Sequence, residues 1–111
     1  MKKFLVLVLT EPTEGREDEF NDYYEHVHLK EVLETTSWLS AERYKLAAEV
    51  GEGAPLPYLA AYEAEGESAQ AVLDDLSARR AERQQSGALN KRTGRVWVFE
   101  ATGLLHQREK V

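Results

Sequence analysis

The chain of 111 residues contains no cysteine, and it has no apolar run long enough to cross a membrane. The absence of cysteine excludes disulfides, thiolate metal sites and a cysteine nucleophile, and it is compatible with a reducing cytoplasm. A membrane-spanning helix needs roughly 20 apolar residues, whereas the apolar run near the N-terminus covers only residues 4–9. We therefore expect a cytoplasmic protein that does not contact membranes.

That N-terminal run follows two lysines and superficially resembles a secretory signal. Thr10, Glu11 and Pro12 end the run without a small-residue cleavage site. A β-strand that is buried on both faces explains the run better.

Several signatures of known chemistry are also missing. The chain has no glycine-rich phosphate loop, no G-x-S-x-G motif, and no carboxylates and histidines at metal-binding spacing. The net charge of −6 argues against nucleic-acid binding. One basic stretch runs from Arg79 to Arg95, and two interpretations are open for it. It is either a solvated helix end with a loop, or a patch that attracts an anionic substrate or an acidic partner.

The pattern of apolar residues predicts a single domain over residues 1–111. Strands are expected at 4–9, 38–48, 58–63 and 96–101. One helix follows the acidic residues 17–19, and a second follows Ser68 as N-cap and runs to about Arg83. The order β-α-β-β-α-β predicts an α+β, ferredoxin-like fold with a four-stranded antiparallel sheet and both helices on one face.

The second face of this sheet carries many apolar side chains. The first strand is apolar at every position, and in the last strand Trp97 and Phe99 alternate with Val96 and Val98. Monomers rarely expose a patch of this size. We therefore expect a homodimer in which two sheets face each other.

The first helix contains two apolar groups that do not share a face. At 100° per residue one group comprises Phe20, Tyr23, Tyr24 and Val27, and the other comprises Leu29, Val32 and Leu33. A straight helix cannot bury both groups well, so we predict a kink or a change of contact near His28. Such irregularities often occur at functional sites.

The segments EFNDYY (19–24), EHVHLKEVL (25–33) and AERY (41–44) resemble the EthD-like branch of the dimeric α+β barrel superfamily. This resemblance implies a dimeric barrel in which His28 and its neighbours line a small-molecule pocket. The sequence departs from the pattern at Lys30, where such sequences often have proline, and at Ser37-Trp38, where they often have a Gly-Phe pair. The first departure weakens the case for a sharp kink after His28, and Trp38 is expected to supply the aromatic contact.

His28 is the first candidate for chemistry, because an imidazole transfers protons near neutral pH. The alternative interpretation is a structural histidine that hydrogen-bonds across the junction between two elements. Glu31 could orient its ring if the helix continues, and Tyr44 is the second catalytic candidate. His26 points away from His28 and is interpreted as a surface residue. The candidate substrate-binding residues are Asn21, Tyr24, Trp38, Tyr62 and Trp97. For each of these residues, packing or an anchoring role is the alternative interpretation.

Three functional hypotheses follow. The first is an enzyme without a cofactor, of cyclase, isomerase or monooxygenase type, which acts on an aromatic, lactone or polyketide-like compound by histidine acid/base chemistry. The second is a non-catalytic dimeric barrel that binds a small hydrophobic or aromatic ligand. An apolar pocket with an inaccessible, fully hydrogen-bonded His28 would favour binding. The third is haem binding through His28.

Overall fold

The computed structural model describes residues 1–109 and confirms an α+β fold with a four-stranded antiparallel sheet. The strands are β1 Lys2–Thr10, β2 Ser40–Lys45, β3 Tyr58–Gly66 and β4 Arg95–Glu100, in the sheet order β2-β3-β1-β4. The helices are α1 Glu17–Tyr23, α2 Leu29–Thr35 and α3 Ala69–Ala78. A π-helical segment, Tyr24–His28, joins α1 to α2, and a 3₁₀ turn, Arg80–Glu82, follows α3. This arrangement is compatible with a ferredoxin-like fold.

The hydrophobic core lies between the helices and one face of the sheet. Phe4 and Val6 of β1 pair directly with Ala64 and Tyr62 of β3, and all four are buried. Because side chains alternate along a strand, these residues all point to the helical side. Phe20 covers them from the helical layer.

The opposite face of the sheet is open. Leu5 is 42% exposed, Trp97 41%, Phe99 53% and Tyr44 49%. The prediction that β1 is covered on both faces is therefore not met within one chain. We call this surface the open face.

The ends of several elements differ from the sequence prediction, and β3, for example, continues to Gly66 instead of ending at Glu63. β2 covers a shorter range than the predicted 38–48. At its N-terminal end Trp38 lies outside the strand and packs its ring against Tyr62 in the core. α3 begins after Ser68, whose hydroxyl accepts the N–H of Ala71 at 3.1 Å. The helix ends at Ala78 rather than near Arg83, where the chain tightens into the 3₁₀ turn.

The irregularity predicted near His28 is the π-helical segment. In an uninterrupted α-helix Val32 would lie about 120° around the axis from Phe20. A π-turn accommodates one extra residue, which removes about 100° of that rotation. Phe20 and Val32 consequently share the core face, and both are fully buried. No helix within residues 1–109 is both long and apolar enough to span a bilayer.

Candidate functional site

A cavity of about 300 Å³ lies on the helical side of the sheet, beside His28. Its walls come from β1, β4, the π-helical segment, the end of α3 and the loop of residues 84–94. The lining residues are Val8, Thr10, Tyr24, His28, Leu76, Ser77, Arg80, Arg83, Gln85, Leu89, Asn90, Lys91, Gly94, Arg95 and Val96. The site therefore combines apolar walls with one histidine and several cationic groups.

Backbone hydrogen bonds hold the loop of residues 84–94 in place. The N–H of Thr13 donates to the carbonyl of Ala88 at 2.6 Å, and the N–H of Asn90 donates to the carbonyl of Glu11 at 3.1 Å. The Thr13 hydroxyl donates to the carbonyl of Gly87 at 2.6 Å. These bonds join the loop to the connection between β1 and α1, so the loop forms a defined wall of the cavity.

Tyr23 fixes the orientation and the tautomer of His28. The Tyr23 hydroxyl donates its only proton to the carbonyl of Gln84 at 2.7 Å. The same oxygen lies 3.1 Å from Nδ1 of His28. It must therefore accept from Nδ1–H, which leaves Nε2 as the unprotonated nitrogen of a neutral ring. Within residues 1–109, Nε2 has no hydrogen-bond partner, and the ring lines the cavity.

The surroundings keep His28 uncharged at neutral pH. Burial and, to a smaller extent, the positive charge of Arg83 lower the pKa of His28, Glu31 opposes them, and the resulting pKa is about 4. Burial also raises the pKa of Tyr23 to about 12. The pair thus consists of a neutral phenol and a neutral imidazole, and the imidazole has a free lone pair.

Tyr24, a candidate substrate-binding residue, is one of the residues that line the cavity. Its ring contacts that of His28 edge-on, with centroids 4.9 Å apart. On its other side the guanidinium of Arg43 lies 4.8 Å from the ring centroid. Burial raises the pKa of the Tyr24 hydroxyl, which therefore stays protonated. Tyr24 forms an apolar and rigid wall next to the imidazole.

Asn21 does not reach the cavity. Its amide nitrogen donates to the Tyr58 hydroxyl at 3.3 Å, and its amide oxygen accepts from Arg43 at 3.0 Å. Tyr58 donates in turn to Glu17 at 2.7 Å. Asn21 thus belongs to a polar network that ties α1 to β2 and β3, in agreement with the anchoring alternative.

The other four candidate residues also do not line the cavity in this chain. Tyr44 and Trp97 lie on the open face, on the opposite side of the sheet from His28. The expected pairing of His28 with Tyr44 is therefore absent within one chain, because the two side chains leave opposite sides of the sheet. Trp38 and Tyr62 are buried and pack against each other in the core, with ring centroids 5.0 Å apart.

Tyr23 is the residue that the sequence analysis missed. In a regular α-helix two residues five positions apart lie about 140° apart around the axis and cannot touch. The π-turn brings Tyr23 and His28 to one face, where their rings stack with centroids 5.2 Å apart. The sequence analysis expects Glu31 to orient the imidazole, but Glu31 makes no hydrogen bond to it. Its carboxylate instead accepts the N–H of Gln84 at 2.8 Å.

The side chains around the cavity disfavour a metal cation. Arg80, Arg83, Lys91 and Arg95 line it, and their positive charges would repel a divalent ion. No group of three or more histidine and carboxylate side chains within the described part of the chain is arranged to hold a metal.

Comparison with known proteins adds no identification. No family model, no curated protein and no solved structure matches this chain.

Proposed function

We propose that the protein is an enzyme that uses His28 to move a proton on a small carbonyl compound. The observation that carries the proposal is the state of the imidazole. Tyr23 occupies Nδ1–H, which leaves Nε2 as the unprotonated nitrogen of a ring that lines the cavity. In the first step Nε2 takes a proton from the carbon beside the carbonyl. The electron pair of the broken C–H bond moves toward the carbonyl group, and the substrate becomes an enolate.

This step is common to the reaction types that the EthD-like resemblance suggests. Return of the proton to another carbon gives an isomerase, and attack of the enolate on a second carbonyl gives a cyclase. Reaction of the enolate with dioxygen and a proton gives a hydroperoxide, which loses water to leave a new carbonyl group, so that a monooxygenase of this kind uses its substrate as the reductant. An aromatic, lactone or polyketide-like substrate fits apolar walls such as Val8, Leu76 and Leu89.

A non-catalytic binding protein is the alternative. That hypothesis expects an apolar pocket and a histidine with both nitrogens occupied. Apolar walls such as Val8, Leu76 and Leu89 are expected under both hypotheses. One imidazole nitrogen, however, is without a partner among the described residues, and this feature favours the enzyme.

The proposal includes a homodimer of the dimeric α+β barrel type. The exposure of Leu5, Trp97 and Phe99 on the open face supports it. A second copy that covers this face would remove these side chains from water, which is the dominant favourable term in association.

Exchange of carbon-bound hydrogen in D₂O tests the proposed step without knowledge of the full reaction. A panel of small lactones, β-diketones and phenolic ketones is incubated with the protein, and loss of the α-proton signal is followed by NMR. We expect the protein to accelerate exchange for at least one member of the panel. His28→Gln should lower that rate by about 100-fold, in the range typical of general-base catalysis.

Two further variants separate catalysis from folding. His26→Gln, at an exposed position two residues away, should leave the exchange rate unchanged. Tyr23→Phe removes the group that orients the imidazole, so the rate should fall about tenfold and its pH dependence should shift. Equal exchange rates for wild type and His28→Gln across the panel would contradict the proposal.

A further inference from the structure

The cavity beside His28 has a strongly one-sided charge. Four of its lining residues are cationic, namely Arg80, Arg83, Lys91 and Arg95, and none is an aspartate or a glutamate. The whole chain carries a net charge of −6. The lining of this cavity is therefore positively charged, although the chain as a whole is negatively charged.

These four cations also lack ion-pair partners among residues 1–109. Some other basic side chains are paired: Arg79 bonds Glu82 at 2.7 Å, and Lys30 lies 3.8 Å from Glu34. The cavity therefore keeps its positive charge free, and an anion that entered it would meet no competing carboxylate in the lining.

Arg83 is the most buried of the four, with 8% of its surface exposed. Its guanidinium donates to the hydroxyl of Thr35 at 2.8 Å and to the carbonyl of Leu76. Both acceptors are neutral, so they position the guanidinium without cancelling its charge. A buried and uncompensated charge is costly to a folded protein. Such a group, placed at a cavity wall with donors left over, is suited to a planar anion.

Burial lowers the pKa of the Arg83 guanidinium, Arg80 adds to this shift, and the carboxylate of Glu31 opposes it through space. The Glu31 carboxylate accepts the N–H of Gln84 at 2.8 Å. Among residues 1–109 Arg83 makes no ion pair, so no carboxylate is bonded to its guanidinium.

The volume and the walls limit the body of such a ligand. About 300 Å³ is at the lower end of the range of about 300–1,000 Å³ for small-molecule sites, and holds a ligand of roughly one ring. Val8, Leu76, Leu89 and Val96 provide apolar contact for that ring.

We propose that the substrate is a small organic acid whose carboxylate binds Arg83, with its apolar body against the β1 and α3 walls and its reactive carbon at Nε2 of His28. This inference rests on the proposed function for the role of His28, but the anion site itself does not depend on catalysis. Arg80, Lys91 and Arg95 surround the carboxylate and attract it to the cavity.

Binding of the anion also strengthens the base. The positive charge of Arg83 is one of the causes that lower the pKa of His28. A carboxylate on Arg83 offsets this charge, so the pKa of the imidazole rises when the substrate is bound. The imidazole thereby becomes a better proton acceptor in the complex than in the free protein.

Benzoate and benzamide are the probes that test the anion site. They share a ring and a planar head group, and they differ in charge. Calorimetry with wild-type protein should show benzoate binding at least tenfold more tightly than benzamide, and added salt should reduce the difference. Arg83→Gln should abolish the preference, whereas Arg92→Gln, which makes the same charge change in the loop of residues 84–94 but outside the cavity lining, should retain it.

The design keeps the two proposals separable. His28→Gln should keep the benzoate preference even though it stops proton exchange, so failure of catalysis leaves the anion site testable. If Arg83→Gln does not fold, the double variant Arg80→Gln/Lys91→Gln replaces it and should weaken benzoate binding at least fivefold. Equal affinity of wild type for benzoate and benzamide, or an unchanged preference in a folded cavity variant, would overturn the proposal.

Discussion

The two ring nitrogens of His28 face different surroundings, and this difference defines the candidate site. Nδ1 is hydrogen-bonded to the hydroxyl of Tyr23, which donates in turn to the carbonyl of Gln84. Nε2 has no hydrogen-bond partner within residues 1–109, and the ring lines the cavity. A histidine at a surface would turn freely and would titrate near pH 6.5. Here the contact with Tyr23 holds one ring orientation and one tautomer.

The low pKa of His28 predicts a specific pH dependence of stability. The unfolded chain takes up a proton at this residue near pH 6.5, whereas the folded chain does so only near pH 4. Between these values the unfolded state binds more protons, so the free energy of unfolding falls as the pH falls. The full effect is about 3 kcal/mol. Urea unfolding of wild type and His28→Gln between pH 4 and 7 measures it.

The variants His28→Gln and His26→Gln should differ in this experiment. His28→Gln should flatten the stability profile over the window from pH 6.5 to pH 4, because the group that titrates is gone. His26→Gln, which changes an exposed histidine, should keep the wild-type slope. Parallel profiles for wild type and His28→Gln would show that the imidazole is not held neutral by the fold.

The π-helical segment determines which side chains of α1 and α2 contact each other. The segment accommodates one extra residue in its turn. The apolar group that begins at Phe20 and the group that contains Val32 therefore pack into the same core. It also brings Tyr23 next to His28. One local irregularity therefore serves both packing and the geometry of the site, as is common for π-bulges.

Removal and addition of one residue at this position should have unequal effects. Deletion of His26 lets the segment become a regular α-helix, with the core faces aligned and Tyr23 four positions from His28, where side chains still touch. Insertion of alanine after His26 adds a further rotation of about 100° and separates them. We expect the insertion to lower the melting temperature much more than the deletion. Equal losses for both variants would contradict this account of the bulge.

The molecule as a whole has one covered and one uncovered sheet face. The helical layer buries the side of the sheet that carries Phe4, Val6 and Tyr62. The open face has no such layer within residues 1–109, and large side chains there, such as Phe99, remain about half exposed. A chain of this size has a modest core, so a second copy on the open face would add substantially to its stability.

A charge on the open face tests the proposed homodimer. Phe99 is 53% exposed, so Phe99→Glu leaves the core of one chain intact, and the new carboxylate lies on the same face as Glu63. Small-angle scattering at micromolar concentration should report twice the mass of 12.6 kDa for wild type and the single mass for the variant. Val50→Glu, at a fully exposed loop position, should stay dimeric. A monomeric wild-type protein would contradict the homodimer.

Local sequence was enough to predict the order of strands and helices, the alternation of faces and the place of the irregular turn. These properties depend on hydrophobic periodicity, which each segment carries by itself. It also singled out His28 and Tyr24, and it flagged the basic stretch that contains Arg83. Only the tertiary structure decided that Tyr23 meets His28, that Tyr44 lies on the other side of the sheet, and that Arg83 lines the cavity. Contacts of this kind arise between segments far apart in the chain, or across a change in helical pitch, and no single segment contains the information that specifies them.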